Sequence, residues 1–466
     1  MHDGAAAQWA ARQGATCDNR AMPTQFSARL AARLGTLRDH ELFAPTQWRR
    51  RAALWSGGVL VGLAAIAFAH ASDFAFAQFR RLLGFSIWLP LLLTPAMFAL
   101  LAWLTSGKLR ATRGSGIPQT IAALEVEDES FRQRLLAPGI ALGKMALTVL
   151  GMLGGASIGR EGPTVHVGAG IMFGIGRALG FRDPKALSRF ILAGAAAGIA
   201  AAFNTPLAGV VFAVEELSGT WEDRFSGLLL TAVIFAGVVS LGILGNYSYF
   251  GTVDASLPLG RGWLAILACG MCGGLGGGAF ATVIQLANGP LRHIAALRAR
   301  SPVAFAAACG IAVAAIGVAS GSAIYGTGYA QAQALLQGTQ DAPAAFGLFK
   351  LGANILSYWA GIPGGIFSPA LAVGSGMGHT LETLLGGGAG VVLLGMAAFL
   401  SGATQTPLTA AVISMELTNN QSLAIPVFAT CLVARAVSTL LCRKPVYHAL
   451  AQRLVEEHRQ EPRAGT

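Results

Sequence analysis

Gly194-AAAGIAAAFNTPLAGVVFAVEE-Leu217 and Gly395-MAAFLSGATQTPLTAAVISME-Leu417 read as two copies of one segment. At an offset of 201 residues, Gly194 meets Gly395, Thr205 meets Thr406, Pro206 meets Pro407, Leu207 meets Leu408 and Glu215 meets Glu416. Upstream, Lys144 precedes Gly159-Arg-Glu-Gly-Pro163 by 15 residues, and Lys350 precedes Gly365-Ile-Phe-Ser-Pro369 by the same 15. Earlier still, Gly114-Ser-Gly116 faces Gly326-Thr-Gly328 at an offset of 212. Three matched blocks in one order make the chain two related halves. The expected organisation is a polar segment over 1–51, a first transmembrane repeat over 52–250, a second over 251–449, and a short tail over 450–466.

Composition sets the solvent in which these halves fold. Of the 466 residues 54% are hydrophobic and 12% charged, whereas soluble domains carry about a quarter charged. Mean hydropathy is +0.57, and a spanning helix takes roughly 20 apolar residues. Apolar segments fall near 52–70, 86–104, 140–158, 190–214, 226–245, 262–287, 302–320, 346–360, 387–415 and 422–442. The fold class expected is therefore all-α, a polytopic, multi-pass integral membrane protein. The 61 glycines suit helices whose backbones touch within a bilayer, and many of the apolar segments are interrupted by Gly or Pro.

The net charge of +11 is spread rather than blocked, which argues against nucleic acid as a partner. Eight arginines and four acids lie in 1–51, and five basic residues against three acids in 443–466. Such flanks suit membrane ends kept in the cytoplasm, so both termini are expected inside. Phe26, Leu30, Leu34 and Leu37 recur at helical spacing beside Arg29, Arg33 and Arg38, as in an amphipathic helix on a membrane surface. No apolar run in 1–51 suggests a cleavable signal peptide, and the residues after Ala449 are too few for a regulatory domain. The six cysteines are scattered and predict no disulfide framework; Cys269-Gly-Met-Cys272 lies in an apolar stretch without a partnering Cys/His pair, so no metal site is expected.

Three pentapeptides share one physical design: Gly114-Ser-Gly-Ile-Pro118, Gly159-Arg-Glu-Gly-Pro163 and Gly365-Ile-Phe-Ser-Pro369. Each puts glycine where the chain turns sharply and proline where a helix begins. The first turn of a helix has unpaired N–H groups and the positive end of the helix dipole. Several such ends aimed at one point bind a small anion without a full cationic charge, so that it can also leave. Paired, interrupted segments in corresponding positions of two halves point to an ion site near the bilayer midplane.

These three motifs, in this order and spacing, resemble the CLC family of chloride channels and chloride/proton antiporters, and the resemblance covers roughly residues 50–450. It implies two inverted-topology repeats with many tilted or broken helices. It implies a homodimer with one anion pathway per subunit, placed in a bacterial inner (plasma) membrane, with chloride and protons as what it moves and no cofactor. By resemblance, the Ser115 hydroxyl, the Tyr447 phenol and the backbone N–H groups of Ile366 and Phe367 face the central anion. Gly114, Gly116, Pro118, Gly159, Arg160, Gly162, Pro163, Gly365 and Pro369 shape the motif backbone. Glu161 matches the gating glutamate. Its carboxylate can occupy the donors that an incoming chloride needs, and protonation removes that competition. Glu216 matches the internal proton-transfer glutamate of family antiporters, which favours chloride/proton antiport. The alternative is a passive voltage-gated chloride channel on the same fold. Lys144 matches a buried family lysine, and buried bases are normally paired. The neighbouring Glu215 reads as an interfacial carboxylate. Gln119 departs from the pattern, where an acid is common, and intact Ser115 argues for chloride over fluoride.

An enzyme is the competing class. Gly155-Ala-Ser157-Ile-Gly159 has the GxSxG form of a serine hydrolase and His379 lies later in the chain, but Gly159 already opens the second anion motif, and glycine-rich sequence makes such matches easy. No HExxH or Walker-type loop appears, and the expectation is a transporter, not an enzyme.

Overall fold

Prolines stand at the starts of the apolar segments, where a missing N–H costs a helix nothing, and among the described residues eight helices have proline in their first two positions. The computed structural model describes residues 45–217, 227–245, 248–257, 259–286, 292–339 and 345–460. The candidate amphipathic helix over 26–38 and Cys17 lie outside the described residues.

The first half contains α1 (Pro45–Phe85), α2 (Pro90–Leu104), α3 (Ile117–Glu125), α4 (Glu129–Leu136), α5 (Pro138–Leu153), α6 (Glu161–Ala178), α7 (Pro184–Phe203), α8 (Pro206–Phe212) and α9 (Gly227–Leu244); α8 runs on into a π-helical turn, Ala213–Leu217. The second half contains α10 (Leu259–Leu286), α11 (Arg292–Arg300), α12 (Pro302–Ala319), α13 (Tyr329–Gln337), α14 (Phe346–Trp359), α15 (Phe367–Leu385), α16 (Ala389–Thr404), α17 (Pro407–Thr418), α18 (Ala424–Leu441) and α19 (Val446–Gln460). Ala53–Thr466 form one compact unit, which carries everything that follows.

Among the described residues six helices are long and apolar enough to cross a bilayer, and four shorter apolar helices accompany them. Helix α1 corrects the sequence reading, which ended its apolar segment at residue 70. Its 41 residues span about 60 Å at 1.5 Å per residue, twice a bilayer core, so the helix must tilt or protrude. The polar residues that look like a loop are absorbed: Ser72 is buried, and Asp73 Oδ1 accepts a hydrogen bond from Arg160 Nη1 at 2.6 Å. Large apolar side chains such as Phe74, Leu92, Ile234 and Leu440 stay exposed, as a lipid-facing surface requires.

The segment predicted over 190–214 is broken, and so is that over 387–415, at equivalent places. Helix α7 ends on Asn204 with φ 57°, and α16 on Gln405 with φ 63°, both left-handed without being glycine. Each is followed by an extended threonine, Thr205 or Thr406, and by a proline that starts the next helix. Side-chain bonds hold both corners: Gln405 Nε2 donates to the Cys442 carbonyl at 2.6 Å, and Asn204 Nδ2 to the Gly245 carbonyl at 3.4 Å.

The helices begun there cap one another. Glu215 accepts from the Leu408 and Thr409 N–H groups at 3.1 and 2.6 Å, satisfying the start of α17, and Glu416 accepts from the Ala208 N–H at 2.6 Å at the start of α8. Glu215 is therefore a helix cap bridging the two halves.

Glycine sets how closely α6 packs on α7, and α15 on α16. A Cβ on Gly198 would stand 2.7 Å from the Thr164 carbonyl oxygen, and one on Gly374 2.6 Å from that of Gly395. By contrast, Gly84 has open space around it. Gly198→Val is expected to cost about 1–3 kcal/mol by overpacking. It should lower the thermal midpoint and the monodisperse yield in detergent, while Gly84→Val leaves both unchanged.

Candidate functional site

The three pentapeptides meet through their own backbones. The N–H of Gly159 donates to the Gly365 carbonyl at 2.7 Å, and the Gly365 N–H returns a bond to the Gly159 carbonyl at 2.7 Å. This isolated antiparallel pair exchanges the two halves about a local two-fold axis. Around it the Gly114 N–H donates to the Ile362 carbonyl at 3.2 Å, and the equivalent Gly326 N–H to the Ala156 carbonyl at 3.1 Å. The glycines permit this approach. A Cβ on Gly159 would lie 3.0 Å from Pro369, and one on Gly365 3.2 Å from Pro163.

Four helices therefore begin at one buried place. Gly116 caps α3 at φ 102°, Arg160 caps α6, Ile366 caps α15, and α19 begins at Val446. Glu161 and Phe367 are the first residues of α6 and α15, with Pro163 and Pro369 two positions on. Of the residues singled out from sequence, Ser115, Glu161, Glu216, Ile366, Phe367 and Tyr447 are all 2% exposed or less. The Ser115 hydroxyl packs on Gly162 and faces the Tyr447 phenol, which lies within electrostatic reach of Glu161 and Glu216. The Ser115, Tyr447, Glu161 and Glu216 side-chain oxygens are buried without a well-formed hydrogen bond. Since nearly all buried polar groups are paired, four such residues around converging helix N-termini mark a site made for something charged or polar.

Arg160 differs from the rest. Its Nη1 donates to the Ala69 carbonyl at 3.0 Å and to Asp73, so the guanidinium anchors α6 to α1. It lines a cavity of about 340 Å³ with Asp73, Arg80, Tyr249, Tyr329 and Gln331. A second cavity, about 220 Å³, reaches Gly114 and Pro118 between Arg113, Arg298, Tyr358 and Arg453. The first cavity is thus lined by the residue before Glu161 and the second by the residue before Ser115.

The buried lysines Lys144 and Lys350 are held by carbonyl oxygens. Lys144 Nζ donates to Thr112 at 2.7 Å and Gly114 at 2.8 Å, and Lys350 Nζ to Ile324 at 2.8 Å and Gly326 at 2.7 Å. Each lysine fixes the loop that leads into a motif helix. Gln119 does similar work in the first half, donating from Nε2 to the Arg113 carbonyl at 2.6 Å, a bond that an ionised acid could not donate. Ser157 Oγ has no hydrogen-bond partner, so no Ser157–His379 pair forms; His379 instead sits 3.8 Å from Glu382. Sequence reading missed His448, whose Nε2 is 3.9 Å from Glu216 Oε1. The signal available was only its place beside Tyr447.

An inverted-repeat helical membrane protein whose broken helices aim their N-termini at a buried polar site belongs to the ion-transporting class. The chain belongs to the voltage gated chloride channel family, which residues 97–439 match. It is similar to the H(+)/Cl(-) exchange transporter ClcA of Yersinia pestis bv. Antiqua (strain Angola), at 30% identity over 430 residues covering 86% of this chain and 87% of the relative. Its fold is like that of a slow cyanobacterial Cl-/H+ antiporter, with TM-score 0.74 and 24% identity over 88% of this chain and 99% of that one. A CLC-type fluoride/proton antiporter matches with TM-score 0.73 and 26% identity over 85% and 97%.

Lys144→Met should orphan the Thr112 and Gly114 carbonyls, at about 1–3 kcal/mol for each unpaired group. Lys350→Met should cost a similar amount, because the geometry is repeated. Thermal unfolding of the two purified variants in detergent checks this, and a loss confined to one half would show that the lysines do different work.

Proposed function

We propose that the protein exchanges chloride for protons, with Glu161 and chloride competing for the N–H groups at the starts of α6 and α15. The observation that carries this reading is the pair of buried carboxylates without a hydrogen bond, Glu161 and Glu216, both close enough to the Tyr447 phenol to act on it. An ionised carboxylate there is costly to bury, so each is a natural proton acceptor. When Glu161 carries a proton it ceases to compete as an anion, and chloride takes its donors. When it ionises it displaces chloride. Proton occupancy and anion occupancy are thereby linked at one place. A passive channel has no use for a second buried carboxylate at Glu216, and the exchange transporters among the relatives support the coupled reading.

Chloride is coordinated by the Ser115 hydroxyl, the Tyr447 phenol and the N–H groups of Ile366 and Phe367. The glycines and prolines of the three motifs shape the backbone, and no cofactor is required. The protein sits in a bacterial inner membrane as a homodimer, both termini on the cytoplasmic side, with one pathway per subunit. The exposed leucines Leu207 and Leu408, equivalent in the two halves, give α8 and α17 an apolar outer face for a second copy.

Reconstitution in liposomes tests the reading. With a chloride gradient, no proton gradient, and the voltage clamped by potassium and valinomycin, protons should move opposite to chloride. Glu161→Ala and Glu216→Ala should each abolish that proton movement. Chloride flux without protons in the unmutated protein would make it a channel. Replacing chloride by fluoride in the same assay should reduce the flux, and a preference for fluoride would overturn the anion assignment.

A further inference from the structure

His448 lies on the amphipathic helix α19, one residue after Tyr447, and is the titratable side chain that joins Glu216 to solvent. Its Nε2 stands 3.9 Å from Glu216 Oε1; the Glu216 side chain is 1% exposed and that of His448 37%. Neither Glu216 oxygen has a hydrogen bond of its own. Glu215 is not available for this work, because its carboxylate is taken by the N–H groups of Leu408 and Thr409. Two acidic side chains face the imidazole, Glu125 from the end of α3 and Glu216 from the π-helical turn, and the Glu216 backbone also lies against the ring. Glu216 in turn faces Glu215 and the Tyr447 phenol. One half-exposed base thus stands between a buried carboxylate and the water outside it.

We propose that His448 is a proton-relay residue that loads and unloads Glu216 from the α19 side of the membrane. The proposal rests on the antiport reading above. In the loading step the Nε2–H bond of an imidazolium breaks and an O–H bond forms on Glu216, leaving a neutral imidazole and a neutral carboxylic acid. The ring then takes a proton from the water on the α19 side. No electrons change hands. At 3.9 Å the two atoms are beyond hydrogen-bond distance, so the transfer uses a rotation of the half-exposed ring or one bridging water. Histidine suits this position because its ordinary pKa, about 6.5, lets it both accept and release a proton near neutrality.

The experiment compares the unmutated protein, His448→Gln, His448→Ala and Glu216→Gln in the liposome assay, reading protons moved per chloride against pH on the α19 side. Proton flux in His448→Gln should fall at least about ten-fold, the low end of what a positioned acid–base group contributes. The pH dependence set by the imidazole, which burial moves below its ordinary range, should flatten with it. Imidazole added to the buffer should restore proton flux in His448→Ala but not in Glu216→Gln, a rescue that a purely structural role for His448 would not give. If His448→Gln keeps the unmutated proton flux and pH profile, or if His448→Ala loses flux that imidazole does not restore, the relay is wrong. If the unmutated protein moves chloride without protons, the antiport reading fails first and takes this proposal with it, a result that is visible before any variant is measured.

Discussion

Two reciprocal hydrogen bonds between Gly159 and Gly365, each 2.7 Å long, hold the start of α6 against the start of α15. In the low-dielectric interior of a membrane protein a backbone pair of this kind is worth more than in water, and leaving it unmade is costly. Only glycine allows the approach, because a Cβ at either position would press on the proline of the opposite motif. Glu161 and the starts of two motif helices are positioned from this pair. Glu161 is two residues from Gly159, the Ile366 cap of α15 directly follows Gly365, and the Gly114 loop is tied to the same strand through Ile362 and Gly364.

The buried charges divide into two kinds with different physics. Lys144 and Lys350 are held by loop carbonyls, and Arg160 is tied through Nη1 to Asp73 and the Ala69 carbonyl. They are structural, and they keep the motif helices aimed at one point. Glu161 and Glu216 are equally buried and have no such partners.

Much of the architecture was legible in the repeat: the three motifs and the matched offsets correspond to structural features, whereas the breaks at Thr205-Pro206 and Thr406-Pro407 divide segments that the sequence reading carried through. The motif residues Ser115, Glu161, Ile366, Phe367 and Tyr447 are indeed brought together. What stayed hidden has a common cause, which is that the partner is a backbone group or comes from a remote segment. Lys144 looked as though it needed an acid, but its partners are the Thr112 and Gly114 carbonyls, which every residue carries and no sequence marks. Glu215 looked interfacial because its partners, the first N–H groups of α17, lie almost two hundred residues away. The apolar segment at 52–70 stopped short of the end of α1 because Arg160, which pairs with Asp73, lies 87 residues on, and His448 was passed over because Glu216 is distant in the chain.

Comparing the halves position by position separates what the duplication kept from what it discarded. The lysines, the glycine pair, the corner residues Asn204 and Gln405 and the capping glutamates Glu215 and Glu416 all have counterparts doing the same job. Glu161 does not, since Phe367 stands in its place; Glu216 is matched by Leu417, and Ser115 by Thr327. A scaffold with a two-fold axis in the membrane has no sense of inside and outside. In this chain that sense resides in a few side chains on one half, so the direction of the machine and the stability of its frame are written in different residues and are free to evolve apart.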